Sequence, residues 1–352
     1  MTHPVLHTRL CDLFGVRYPI VQTGMGWVAG PRLVQATCNA GGMGILAGAT
    51  LTFEQLVPAI REIKDRTKQP FGVNLRSDAP DLDDRIGVLV DEGVRVASFA
   101  SPPAASVVER LRGEGLVVVP TVGARRHAEK VAALGVDAVI AQGAEGGGHT
   151  GVVPTTLLVP QVADVVDVPV IAAGGFFDGR GLIAALAYGA EGIAMGTRFL
   201  LTKESRVPDD VKGVYLETPV TGTVVTRAID GAPQRVIRTS VIDRLEGAGR
   251  VLALPRAARN ALRFRKLTGT SMRALLKEGL AMRKSEDLSW GQMVMAANAP
   301  MLTKATMVDG HLETGILPTG MGVGVIDELP TVAELIERVM QEAEATLDRL
   351  AS

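Results

Sequence analysis

The sequence predicts an α/β protein, a closed (β/α)8 barrel of the TIM type with a smaller, mostly helical lid inserted before its last helix. Three observations carry this expectation. Eight apolar, strand-like segments recur at intervals of roughly 24 residues, the length of one strand plus one crossover helix. These segments are continuous apolar runs, such as Leu116-Val-Val-Val-Pro120, and such runs mark parallel strands covered on both faces. The rhythm then stops near Arg198, and a strongly amphipathic segment returns only at the C-terminal end. Eight βα repeats favour closure into a barrel over an open doubly wound sheet.

Taken in order, the predicted strands begin near Ile20, Gly44, Phe71, Val94, Leu116, Ala138, Val168 and Gly192. Between them lie helices of 3.6-residue period. Phe53, Leu56, Ile60 and Ile63 share one face of the first clear example, and 106–111, 128–134 and 181–188 follow the same pattern. Beyond Arg198 come two strand-like runs, 221–226 and 235–238, then long helical stretches. The segment from Thr331 has a Thr cap and a Glu in its first turn, so it is expected to close the outer ring after strand eight. The implied division is a barrel of residues 1–205 and 311–352, with 206–310 as the inserted substrate lid.

Composition narrows the class. The chain has 352 residues, is 47% hydrophobic and 21% charged, and carries a formal net charge of −1, which suits a globular enzyme-sized protein. A near-neutral chain lacks the basic excess that phosphate-backbone binding requires, so no nucleic-acid partner is expected. No apolar run reaches the roughly 18 residues of a membrane span. The first residues show no basic segment followed by an apolar core, so a cytoplasmic protein is expected. Cys11 and Cys38 lack metal-ligand spacing and are expected to be reduced, small apolar residues; no metal site is expected.

In a parallel barrel the active site lies at the C-terminal ends of the strands. Strand one ends in Gln22 and Gly24-Met25-Gly26, strand three in Asn74, and strand six in Gln142 followed by a glycine-rich loop to His149. Strands seven and eight end in Gly174-Gly175 and Gly196-Thr197. Two such turns on adjacent strands form a phosphate pocket of backbone N–H groups and a hydroxyl, beside a helix N-terminus. FMN fits a pocket of this kind with its ring over the barrel mouth. The glycines of the 142–151 loop are expected to let backbone pass close to that ring. His149 is the imidazole of that loop. A lone histidine is more often a hydrogen-bonded structural group than a catalytic one, and its place after strand six reverses that preference.

Six motifs then occur in a fixed order: Gln22-Thr-Gly-Met25, Ala40-Gly-Gly-Met-Gly-Ile45, Pro70-Phe-Gly-Val-Asn74, Glu145-Gly-Gly-Gly-His149-Thr-Gly151, Ile171-Ala-Ala-Gly-Gly175 and Met195-Gly-Thr-Arg-Phe199. On these the chain resembles the nitronate monooxygenase (2-nitropropane dioxygenase) family, which includes FMN-dependent enoyl-acyl-carrier-protein reductases. The resemblance covers residues 10–205 and, more loosely, Leu317-Pro-Thr-Gly-Met-Gly-Val-Gly324. It implies an FMN barrel with Gln22, Gly24, Met25, Asn74, Gln142, Gly147, Gly148, Gly174, Gly175, Gly196 and Thr197 at the cofactor and His149 as the catalytic imidazole. The family usually has Glu-Ala-Gly-Gly-His, and this chain has Gly146 at the second place. Glu145 has two readings, a second acid or a loop-fixing carboxylate.

Ten basic residues stand between Arg250 and Lys284 against one acid, Glu278. Of these, Arg259, Arg263, Arg265 and Lys266, together with Thr319 and Gly320, are the expected substrate contacts. Cations over a barrel mouth suit a polyphosphate handle such as coenzyme A, although a solvated helix face or subunit contact weighs equally. Met293, Met295, Met301 and Met307 follow, suited to a bulky acyl group or simply to a core. The whole chain is similar to the flavin-dependent acyl-CoA reductases of bacterial steroid-ring degradation. That implies redox chemistry at a carbon–carbon bond of a ring carboxyl-CoA thioester, with NAD(P)H as electron partner. The alternatives are a nitronate monooxygenase using oxygen and a non-catalytic barrel that binds a phosphate-bearing ligand. Self-association into a homo-oligomer is left open.

Overall fold

The structure is a computed structural model and describes residues 3–247 and 290–352. Eight strands close a parallel barrel: β1 (Ile20–Gln22), β2 (Met43–Leu46), β3 (Gly72–Leu75), β4 (Val96–Phe99), β5 (Val117–Val122), β6 (Val139–Gln142), β8 (Val170–Ala173) and β9 (Gly192–Met195). Closure is the pairing of β1 with β9, in which Gln22 lies opposite Met195. The sequence-predicted (β/α)8 barrel is therefore the observed fold. Its period was legible because each crossover is a single short helix.

Two apolar layers hold the barrel. Inside it, Val21, Ile45, Val96, Val119, Ile140 and Ile171 interdigitate, and Leu10 and Phe14 of α1 (Arg9–Phe14) join them. Outside it, the strands' other faces meet the helices in a larger continuous core. The outer helices are α2 (Pro31–Asn39), α3 (Phe53–Arg66), α4 (Leu82–Asp91), α5 (Ala105–Gly113), α6 (Arg125–Ala132), α7 (Thr155–Ala163) and α8 (Gly179–Ala187). A short α9 (Thr197–Leu200) follows β9 directly.

After α9 the chain leaves the βα pattern. It forms α10 (Asp209–Leu216), a hairpin of β10 (Thr223–Thr226) and β11 (Gln234–Ile237), then α11 (Ser240–Gly247) and α12 (Trp290–Met307). The last helix, α13 (Val332–Ala351), packs against α8 and α2 and so fills the outer ring where the barrel closes. Its start is a capping box: the Thr331 hydroxyl accepts from Glu334 N at 3.2 Å, and the Glu334 carboxylate accepts from Thr331 N at 2.7 Å. A Cβ on Gly179 would sit 2.3 Å from Ala343 N, so the contact between α8 and α13 admits only glycine there. Among the described residues no helix is long and apolar enough to cross a membrane.

Candidate active site at the C-terminal mouth of the barrel

The glycine turns fall where the strands end. Gly174 and Gly175, directly after β8, have φ of 99° and 82°, the left-handed region that side chains disfavour, and a Cβ on Gly174 would stand 3.0 Å from Thr155 Oγ1 and 3.1 Å from Gly146 N. At the end of β9, Gly196 lies beside Met25 of the β1 turn, with the Met25 Sδ 3.5 Å from where a Cβ would stand. Gly24 is pressed against Asn74: an added Cβ would approach the Asn74 Cβ to 2.5 Å. Asn74 itself donates through Nδ2 to Ser98 O at 3.3 Å and Ser98 Oγ at 3.2 Å. The ends of β1, β3, β8 and β9 thus form one continuous rim.

Gln22 is fully buried at the end of β1. Its Nε2 donates to Thr23 O and, at 3.2 Å, to Ile45 O, while Oε1 has no hydrogen-bond partner. A buried acceptor left without a donor is costly, so this oxygen is the unsatisfied polar atom at the end of β1. Five residues on, Trp27 is the only non-glycine residue at positive φ among those described, at 64°. Its carbonyl accepts from Arg206 Nε at 2.7 Å, which helps hold a conformation that costs about 1–2 kcal/mol.

The loop after β6 is tied down on every side. Its Gly148 and His149 form β7, a two-residue strand that pairs antiparallel with β11 and completes a three-stranded sheet, β10-β11-β7. Gln142 Nε2 donates to His149 O at 2.7 Å, closing the loop on itself. From β11, Arg235 places Nε at 3.2 Å and NH2 at 2.9 Å from Ala144 O. Burial pushes the Arg235 guanidinium below its ordinary pKa, and the nearby Glu145 carboxylate acts in the opposite direction. On the other flank, Met321 N donates to Glu145 O at 2.9 Å and Gly320 N to Thr197 Oγ1 at 2.9 Å.

Most of the loop's glycines answer to this packing. A Cβ on Gly143 would sit 2.1 Å from Thr155 Oγ1, on Gly146 it would strike the Gln142 side chain at 2.7 Å, and on Gly147 it would lie 2.5 Å from Thr319 C. The close approach expected of a ligand is, at these three positions, an approach of the protein to itself. Gly148 differs: it has φ of 65° and open space around its missing Cβ. Glu145 is also accounted for. Its Oε2 accepts from Thr155 N at 2.9 Å and Thr155 Oγ1 at 2.6 Å, so the carboxylate caps the start of α7 as a loop-fixing group.

His149 emerges from this frame with a side chain 66% exposed, next to a carboxylate that the sequence reading missed. Its Nε2 lies 2.8 Å from Asp230 Oδ2 and 3.1 Å from Gln234 Nε2. Gln234 Nε2 donates to the same Oδ2, and Ala232 N donates to Asp230 Oδ1 at 3.1 Å. Burial raises the Asp230 pKa, yet the hydrogen bond and charge of His149, with the bonds from Ala232 and Gln234, outweigh it and hold the carboxyl below its ordinary range. An Nε2–H donor facing this carboxylate leaves Nδ1 as the basic nitrogen.

Of the residues expected at a substrate, Thr319 is buried, with its Oγ1 at 3.3 Å from Thr197 Oγ1, and Gly320 follows it. They join the β9 turn to the glycine loop. The Pro318 carbonyl beside them accepts from the buried Tyr215 hydroxyl at 2.9 Å. Arg259, Arg263, Arg265 and Lys266 lie outside the described residues, as do the side chains of Met293 and Met295. Met307 is buried against Tyr215, in keeping with a core residue. Arg198, beside Thr197, is buried, and burial pushes its guanidinium down to about 10; NH2 donates to the carbonyls of Leu201 and Glu328.

Residues 7–86 and 80–342 match the family model described as nitronate monooxygenase. The chain belongs to the nitronate monooxygenase family. As a member of it, and by its relatives, it is an enzyme and an oxidoreductase. It is 55% identical over 347 residues to a Rhodococcus jostii protein named (3aS,4S,5R,7aS)-5-hydroxy-7a-methyl-1-oxo-octahydro-1H-indene-4-carboxyl-CoA dehydrogenase, covering 99% of this chain and 98% of that one. A Mycobacterium tuberculosis protein of the same name is 54% identical, with 96% of each chain covered. Among solved structures, FabK from Thermotoga maritima superposes with a TM-score of 0.80 at 34% identity, over 98% of both chains.

Proposed function

We propose that this member of the nitronate monooxygenase family is an FMN-dependent dehydrogenase acting on a carbon–carbon bond of a ring carboxyl-CoA thioester. The observation that carries this reading is the exposed imidazole of His149, backed by Asp230 on a loop braced against the turns after β8 and β9. Similarity along nearly the whole chain to two proteins named as carboxyl-CoA dehydrogenases supports the substrate class.

The residues present fit FMN. The partnerless Gln22 Oε1 offers an acceptor at the mouth, and the turns after β8 and β9 present backbone and one hydroxyl where a phosphate needs donors. Gln22, Gly24, Met25, Asn74 and Gln142 would hold the ring and ribityl side, Gly174, Gly175, Gly196 and Thr197 the phosphate, with Gly147 and Gly148 alongside. What FMN supplies when bound is a two-electron acceptor, restored by electron exchange with a nicotinamide.

The chain's own contribution is proton transfer. The C–H next to a thioester carbonyl is the acidic one, and His149 takes its proton. The electron pair left behind forms the new C=C bond as the neighbouring carbon loses hydride, for which bound FMN would be the acceptor. A positioned imidazole contributes on the order of 100- to 10,000-fold to such a step. In this reading residues 206–310 are the inserted lid, and the basic run of 250–284, known from the sequence alone, holds the phosphates of coenzyme A.

A visible spectrum of the purified protein, titrated without oxygen with an octahydroindene carboxyl-CoA, tests cofactor and substrate together. The expected result is a yellow protein whose flavin absorbance bleaches stoichiometrically. Rapid oxygen uptake with propionate 3-nitronate and no response to the thioester would replace this reading with a nitronate monooxygenase. A colourless protein that takes up no FMN would make it a binder of some other phosphate-bearing ligand.

A further inference from the structure

His149 has two ring nitrogens, and only one of them can take the substrate's proton in a neutral imidazole. The barrel does not decide which, because His149 stands seven positions beyond Gln142, the last residue of β6. The decision comes from the hairpin. In the pairing of β7 with β11, Gln234 lies directly opposite His149, so their side chains share one face of the ladder. Asp230 stands four residues before Gln234, in the turn that joins β10 to β11.

That turn is built to hold a carboxylate still. Gly231 takes φ of 89°, and its N donates to Arg227 O at 3.1 Å while Arg227 NH1 donates back to Gly231 O at 3.2 Å. Ile229, just before Asp230, is buried in a small core with Val236, Ile242 and Ile316. Thr150 N donates to Pro233 O at 3.1 Å, stitching the turn to the residue after His149. Both Asp230 oxygens are engaged: Oδ1 by Ala232 N and Oδ2 by Gln234 and His149. The carboxylate is one-fifth exposed, whereas the imidazole it meets is largely open. A rigid acceptor thus faces one nitrogen of a ring whose other edge is free.

We propose that Asp230 is the positioning residue of this active site: by accepting from His149 Nε2–H it fixes one tautomer and ring orientation, and it assigns Nδ1 as the atom that exchanges a proton with the substrate. The inference rests on His149 being the base of the proposed dehydrogenation. Asp230 touches neither substrate nor cofactor in this scheme and acts only through the imidazole. In this tautomer Gln234 Nε2, 3.1 Å from the ring nitrogen, donates to the shared Asp230 oxygen and not to the imidazole, so the carboxylate is the acceptor for both. Replacing a carboxylate of this kind by an amide lets the ring adopt the wrong tautomer while leaving the geometry standing.

The test is a double-mutant cycle on the flavin-loaded protein, with flavin bleaching by octahydroindene carboxyl-CoA as the rate and bound FMN per chain as the control. Asp230→Asn is expected to slow the step on the order of 100-fold, with KM changed less than about three-fold and FMN content unchanged. In the His149→Ala background the same substitution is expected to cost nothing further, since Asp230 acts only through the ring. Asp230→Glu is expected to recover part of the rate. A readout independent of turnover is the 15N spectrum of the His149 ring in the resting protein, expected to show a protonated Nε2 and an unprotonated Nδ1. A protonated Nδ1, or an undiminished cost of Asp230→Asn without His149, would overturn the assignment. If His149→Ala itself leaves the bleaching rate intact, the reading of His149 as base fails. If that variant is slow and Asp230→Asn is not, only the role of Asp230 fails.

Discussion

Arg235 and Ala144 join two parts of the chain that lie 91 residues apart, through paired contacts of 3.2 and 2.9 Å from one guanidinium to one carbonyl. The contact is one of the grips of the appended hairpin on the glycine loop, beside the β7–β11 pairing, and its third arm, NH1 to Thr223 Oγ1 at 2.9 Å, fixes the arginine to β10. Removing it leaves a carbonyl without its donor at the mouth of the barrel. Arg235→Ala is therefore expected to lower stability by about 2 kcal/mol, the scale of a hydrogen bond to a charged group. Urea unfolding followed by far-UV circular dichroism measures this. Arg235→Lys should recover little of it, because an ammonium cannot reproduce the fork.

Two neighbouring glycines make opposite demands on a methyl group. At Gly147 an added Cβ would meet Thr319 C at 2.5 Å and Gly320 N at 2.6 Å, both backbone atoms that cannot yield cheaply. At Gly148 the space is open, and the cost is only that of a left-handed backbone, about 1–2 kcal/mol. Gly147→Ala should thus destabilise more than Gly148→Ala and should also reduce bound FMN, since it displaces the segment that rests on Thr197. Denaturation midpoints and flavin absorbance per chain for the two variants decide the order. A larger loss for Gly148→Ala would mean that the loop's strain, and not its packing, dominates.

Glu145 lies between two chemical readings that a single substitution separates. Its carboxylate takes both the N–H and the hydroxyl of Thr155 at the first residue of α7. Glu145→Gln retains one acceptor oxygen and loses the charge at the helix start, which costs roughly 0.5–2 kcal/mol. The expected outcome is a lower melting temperature with turnover within about three-fold of wild type, because the carboxylate serves the helix and not the substrate. A drop on the scale of general acid–base catalysis, about 100-fold or more, would place it in proton transfer instead.

The barrel was legible because its signals are local and repeated. Apolar strands, single crossover helices and glycine turns recur, and the capping box at Thr331 announced the closing helix. The docked sheet was not. The runs around 221–226 and 235–238 flank Asp230-Gly231, a pair typical of hairpin turns, so a hairpin could have been read there. Nothing in it says that its free edge would take up two residues of a loop that precedes it by 85 positions, as Gln234 does opposite His149. A two-residue strand such as β7 has no periodicity to detect. Asp230 was invisible for the same reason: beside glycine in a turn, an aspartate reads as a turn former. The glycine-rich loop stands out in the sequence, but its glycines at 143 and 147 serve contacts that exist only once the segments at 155 and 319 have arrived.

The tie between Asp230 and His149 also sets how stability responds to acid. An unfolded aspartate titrates near about pH 3.9, and folding lowers the Asp230 pKa, because the bonds from His149, Ala232 and Gln234 outweigh the opposing effect of burial. A carboxyl whose folded pKa is depressed contributes stability that is fully present above the unfolded value and is lost as pH falls through the folded one. Wild type and Asp230→Asn should therefore differ clearly at about pH 5, where this carboxyl is ionised in both the folded and the unfolded chain. Below about pH 4 the difference should shrink, since the asparagine variant has no proton to bind at this position. Urea titrations at closely spaced pH values give both curves. A difference that stays flat to pH 3, or grows, would mean that Asp230 is protonated as readily in the folded protein as in the unfolded one, and that the carboxylate facing His149 is not the ionised acceptor its contacts require.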